Sequence, residues 1–236
     1  MLKFSLFFSL ISSFLFSQDI RQGYPPNQTS YIGGDTQFYK DFHEVLLDKK
    51  LQTCPNKDEN ISFLLVVYPD KTIKYVKPAD AEFEESKCTF ELTKEVLKYL
   101  DGWNPAEFDG KKIAATTSFT IIPDELFGEL KEGYDPIKDM ELAMYEGGIE
   151  NFRKKVSQSI NLTNYNFSGI LRLEVTFVIE RDGSMSTVQL AHSSGLKEFD
   201  TMILRTISRI KNKWTPAKIH GKPIRFRFRL PLAFSM

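Results

Sequence analysis

The chain has little of what catalytic and metal-binding proteins depend on. Its 236 residues include only 3 His, 2 Cys and 2 Trp. His43, His192 and His220 fall in separate stretches, and no Cys-x-x-Cys pair or carboxylate box offers ligands at a usable spacing. No metal, cofactor or small-molecule substrate is therefore expected. Nucleophile elbows and phosphate loops are also missing. Gly33-Gly34 and Gly147-Gly148 have no strand before them and no Lys-Ser/Thr after them. His192-Ser193-Ser194 sets an imidazole beside hydroxyls, but sequence neighbours rarely form a triad, and a turn accounts for them. The chain is thus not expected to be an enzyme. Formal net charge is zero, which argues against nucleic acid as a partner. The 11 prolines form no Pro-rich run, so no long stiff spacer is present. One long apolar run occurs, Phe4 to Phe16, shorter than the roughly 20 residues of a membrane-spanning helix.

That run follows Met1-Leu2-Lys3 and ends at Ser17-Gln18, the shape of a secretory signal peptide cleaved after Ser17. An uncleaved inner-membrane anchor is the competing reading. In an exported protein, Cys54 and Cys88 either form a disulfide or remain two free thiols. A bridge over that 34-residue separation would contribute about 3–4 kcal/mol in the chain-entropy picture.

Repetition dominates the rest. Tyr31-Ile-Gly-Gly-Asp-Thr-Gln-Phe38 returns as Tyr145-Glu-Gly-Gly-Ile-Glu-Asn-Phe152, and Trp103-Asn-Pro-Ala-Glu-Phe-Asp-Gly-Lys111 as Trp214-Thr-Pro-Ala-Lys-Ile-His-Gly-Lys222. Gly34 precedes Trp103 by 69 residues, and Gly148 precedes Trp214 by 66. Two motifs in one order at one separation predict two copies of a small domain. The boundaries are a signal peptide at 1–17, an extension at 18–30, a first copy at 31–123, a linker at 124–144 and a second copy at 145–236. Charge divides along the same line. Residues 18–130 carry 13 basic and 20 acidic side chains, and residues 131–236 carry 17 and 11. The basic half suits an acidic partner or the acidic half of the same protein.

In the second copy, Ile149, Phe152, Val156 and Ile160 recur at helical spacing. Leu171 to Ile179 alternates as a half-buried strand, Arg181-Asp182-Gly183-Ser184 turns it, and Met185 to Ala191 returns. A second helix from about Lys197 to Lys211 carries Phe199, Ile203 and Ile207. The last strand, Ile224, Arg225, Phe226, Arg227, Phe228, Arg229, Leu230, alternates strictly, and Pro231 is expected to end its pairing. The first copy follows the same plan, with Phe38, Phe42 and Leu46 on its first helix, a hairpin around Pro69-Asp70-Lys71, and a last strand at Ile113 to Ile122. Helix, strand, strand, helix, strand gives an α+β fold: two tandem two-layer domains, each with a three-stranded antiparallel sheet. Trp103 and Trp214, following amphipathic helices, are expected in the cores rather than on ligand platforms.

Together, Glu146-Gly-Gly-Ile-Glu-Asn-Phe152, the Asp-Gly-Ser hairpin, Trp214-Thr-Pro-Ala217, Gly221-Lys-Pro223 and the closing Arg-Phe-Arg-Leu-Pro231 resemble the TonB C-terminal domain family. The likeness spans 145–236 and, more weakly, 31–123. It implies a periplasmic, non-enzymatic module that binds an extended peptide segment of an envelope or outer-membrane protein by strand addition. Residues 224–230 are the expected binding edge; the competing reading makes Arg225, Arg227 and Arg229 a solvated sheet face. A homodimer through the last strand is a further expectation. Without a Pro-rich spacer or a long anchor, a binding or adaptor role is favoured over a membrane-anchored component of energy-coupled transport.

Overall fold

The computed structural model describes residues 20–235 apart from 79, 164, 166, 168, 212 and 213, so the signal-peptide assignment lies outside the described residues. The first half contains α1 (Gly34–Asp48), β1 (Ile61–Val67), β2 (Ile73–Tyr75), α2 (Asp80–Glu85), α3 (Lys87–Leu97), β3 (Ala106–Phe108), β4 (Lys111–Ile113) and β5 (Ala115–Ile121). The junction holds α4 (Pro123–Leu126), β6 (Met140–Glu141) and β7 (Met144–Tyr145). Then follow α5 (Gly148–Ser159), β8 (Ile170–Ile179), β9 (Met185–His192), α6 (Lys197–Ser208), β10 (Trp214–Thr215), β11 (Ala217–Ile219), β12 (Lys222–Ile224) and β13 (Phe226–Ser235).

Each half is an α+β unit built on a three-stranded antiparallel sheet, ordered β2-β1-β5 in the first and β13-β8-β9 in the second. Alternation decides what each sheet buries. Leu173, Val175, Phe177 and Ile179 of β8 face Phe152 and Val156 of α5 and Phe199, Ile203 and Ile207 of α6. Phe63, Leu65, Phe119 and Ile121 likewise meet Phe38, Phe42 and Leu46 of α1 and Val96 of α3. Cys54 and Cys88 are joined by a disulfide that ties the loop before β1 to α3.

The repeated motifs occupy matching places. Tyr31 bridges Trp103, Tyr145 pairs with Trp214, and both ring pairs meet edge-on at 5.2 Å. Both Gly-Gly steps adopt positive φ at the entry to a first helix, a conformation glycine reaches without a Cβ penalty. Each tryptophan leads into a hairpin, β3–β4 or β11–β12, which turns at Asp109-Gly110 or His220-Gly221 with both residues at positive φ. Trp103 and Trp214 are 2 % and 8 % exposed, within the cores.

The structure departs from the sequence expectations at the last strand. Ile224 belongs to β12 and is buried, and Arg225 lies between strands. Pro231 does not end the pairing: β13 continues to Ser235, with Pro231 opposite Glu174. The predicted strand Ile113 to Ile122 is divided between β4 and β5. In the junction, β6 pairs with β11 and β7 with β10. Ile122 packs into the second core.

Candidate functional site: the outer margin of the last strand

Among the described residues the backbone of β13 has one strand neighbour, β8, and its register is unbroken over ten residues, from Phe226↔Ile179 to Ser235↔Ile170. Which groups point outward follows from the β8–β9 turn. Glu180 donates its N–H to the Ser184 carbonyl at 2.8 Å, toward β9. Backbone groups alternate sides along a strand, so Ile179, Phe177 and Val175 direct theirs toward β13. Their partners Phe226, Phe228 and Leu230 therefore complete that ladder. Arg227, Arg229, Ala233 and Ser235 present N–H and C=O to the free side. Pro231 falls in this outward set, where its missing N–H costs no bond to β8; this is why the strand runs through it.

No hydrogen bond reaches that outer row among the described residues. The matching row in the first half is partly filled: Thr116 and Thr120 are engaged, while Ser118 between them has no hydrogen bond on that side among the described residues. Arg21 donates to the Ala114 carbonyl and accepts from Thr116 N–H, both at 2.9 Å, in a parallel bridge alongside β5. The Tyr39 hydroxyl donates to the Thr120 carbonyl at 3.0 Å and accepts from its N–H at 3.1 Å. Burial raises the Tyr39 phenol well beyond its ordinary range, so it stays protonated and can do both. The other edge of the C-terminal sheet is interrupted. Register shifts between β8 and β9, with Thr187 at φ 49°, mark a bulge there, and bulges disfavour further pairing.

The seven residues expected to form the edge do different work. Phe226, Phe228 and Leu230 point inward; Phe228 stacks on Phe177 at 5.4 Å and meets Trp214 at 4.8 Å. Ile224 packs in the core. Arg225 grips Glu180 through Nε at 2.6 Å and an Nη at 2.8 Å. That contact first, with Ser186, holds the Glu180 carboxyl below the usual carboxylate range despite partial burial. Arg229 reaches Glu174 at 3.3 Å on the exposed face. Arg227 is exposed, with no ion pair among the described residues. Alternation made the Arg row visible in sequence, but not that one member is committed to Glu180. The exposed row beyond Pro231 was missed because a proline in a strand reads as a stop.

His192, Ser193 and Ser194 form no catalytic array. Ser193 and Ser194 donate to Asp200 at 2.5 and 2.7 Å, and these bonds outweigh burial to keep its carboxyl below its ordinary value. They brace the start of α6.

The C-terminal half is thus a helix-covered three-stranded sheet whose β13 margin has no hydrogen-bond partner among the described residues. The family model of the Gram-negative bacterial TonB protein C-terminal matches residues 172–236, from within β8 through β13. The match supports resemblance to that family for the C-terminal part of the chain and a protein-interaction role of the TonB type. No curated protein and no solved structure matches the chain.

Proposed function

We propose that the second half is a periplasmic interaction module that takes up an extended peptide segment of an envelope or outer-membrane transport protein as a fourth strand beside β13. The observation that carries this is the contrast between the two sheets: the outer row of β5 is blocked on either side of Ser118, by Arg21 at Thr116 and by Tyr39 at Thr120, while that of β13 has no partner among the described residues. Main-chain groups supply affinity in strand addition, and side chains beside them supply selectivity. Arg227 and Arg229 favour a segment with acidic residues. The reading also takes the chain as two copies of one unit, of which only the second receives a strand, and residues 1–17 as an export signal. Among the described residues no helix is long and apolar enough to cross a membrane.

A photo-crosslinker placed at position 227, used in the native envelope, tests the proposal. Adducts are expected with an extended segment of an outer-membrane transport protein. Arg229→Pro removes one outward donor while sparing the β8 ladder, about 1 kcal/mol, and should weaken capture about fivefold relative to Arg229→Ala. Equal capture by the two variants, or equal crosslinking from Gln189 on the bulged edge, contradicts it.

A further inference from the structure

Away from the β13 margin, positive charge is concentrated between α5 and α6. An open groove of about 1050 Å3 is lined by Lys154, Lys155, Arg209 and Lys211, with Glu146 the one acidic residue among the described lining. All four cations are exposed, and none of their charged side-chain groups has an ion pair or hydrogen bond among the described residues. Some surface lysines elsewhere are paired, as in Lys94–Glu91, Lys98–Glu95 and Lys40–Glu44; what marks the groove is four cations converging on one concavity. Cations near a helix C-terminus offset the macrodipole, which accounts for Arg209 and Lys211 just beyond α6. It does not account for Lys154 and Lys155, since the last turn of α5 carries no basic residue.

A second feature adjoins the groove. Leu142 and Met144, 60 % and 62 % exposed, are more open than the other exposed large apolar side chains of the described residues. They alternate with buried Ala143 and Tyr145, so both face outward from the stretch that leads into the groove lining at Tyr145 and Glu146. A small soluble anion gains little here, because each cation keeps its own water. A surface bearing many negative charges engages all four together, and its apolar boundary accommodates Leu142 and Met144.

We propose that this face of the C-terminal half docks on an anionic lipid surface, with phosphate-bearing headgroups in the groove of Lys154, Lys155, Arg209 and Lys211 and with Leu142 and Met144 at the acyl boundary. The site is distinct in residues from the β13 margin, and its test is independent of strand capture.

The measurement is co-sedimentation of the full chain with phosphatidylcholine vesicles, with and without phosphatidylglycerol. The run Phe4 to Phe16 is itself mostly apolar, so the informative quantities are the difference between lipids and the difference between variants of one chain. Binding is expected to favour the anionic vesicles and to fall with salt. The double variant Lys154→Gln, Lys155→Gln should lose about 25-fold in that preference, at about fivefold per cation. Leu142→Ser with Met144→Ser should weaken binding without changing its salt dependence. Exposed positions leave the fold unaffected, which a thermal melt checks. Equal binding to both lipids, an unchanged lysine variant, or inorganic phosphate shifting the groove amides in NMR spectra without any vesicle preference overturns the proposal.

Discussion

Arg225 illustrates how position overrides type. Three arginines alternate along one short stretch, yet only Arg225 closes on a carboxylate through two nitrogens, at the point where β12 hands over to β13. Its side chain and that of Glu180 are 17 % and 23 % exposed, so the pair is partly shielded from water. Arg225→Ala should cost about 1–2 kcal/mol, between a surface pair and a charged hydrogen bond in shielded surroundings. The pH dependence follows from the Glu180 shift. Because folding depresses its value, the contribution is present above the ordinary carboxylate value and is lost as pH falls through the depressed one. Urea unfolding of wild type and Arg225→Ala should therefore differ at neutral pH and converge in acid. A gap that persists below the carboxylate range would contradict the assignment.

The two sheets share a plan and differ at one edge. On β5, Thr120 has both outward groups on the Tyr39 hydroxyl; on β13, Arg227 and Arg229 leave theirs open. Tyr39→Phe should cost about 2–4 kcal/mol, since it strands a buried donor and acceptor together, and should speed exchange of the Thr120 amide. Unchanged stability would mean that this edge is not held as described. Much of this layer was legible in the sequence. Stripes such as Phe38, Phe42 and Leu46, and the alternation in Leu173, Val175 and Phe177, carry the helices and long strands, because burial on one face imposes a period. Strands of two or three residues, such as β6, β7 and β10, are too short to show a period. The partial filling of the β5 edge was illegible for another reason. Arg21 and Thr116 are distant in sequence, and backbone pairing leaves no trace in side-chain type.

At the scale of the molecule, the basic second half meets the acidic first half and the junction through a few polar contacts. Arg181, beside the β8–β9 turn, donates to Glu85 at 3.0 Å and to the Asn60 carbonyl at 2.8 Å. Lys222 reaches Asp124 at 3.2 Å and the Lys57 carbonyl at 2.8 Å. His220 lies 3.0 Å from Glu125 and 3.3 Å from Asp139. Burial works to lower the His220 value, but these two carboxylates raise it further, to a net value above the ordinary one. The clasp is therefore complete below the ordinary histidine pKa and weakens as pH rises through the raised folded value. Small-angle scattering should show the halves separating more readily over that rise in wild type, and no such step in His220→Gln. A step retained in the variant would assign it elsewhere. None of these contacts covers β13, so the halves can meet while the second sheet keeps its edge.

Amide hydrogen exchange along β13 in the free monomer probes that edge most directly. The account predicts alternating rates: fast at Arg227, Arg229 and Ala233, slow at Phe228, Leu230 and Leu232. Uniform protection of all six amides would contradict it, because the outer row would then already have a partner.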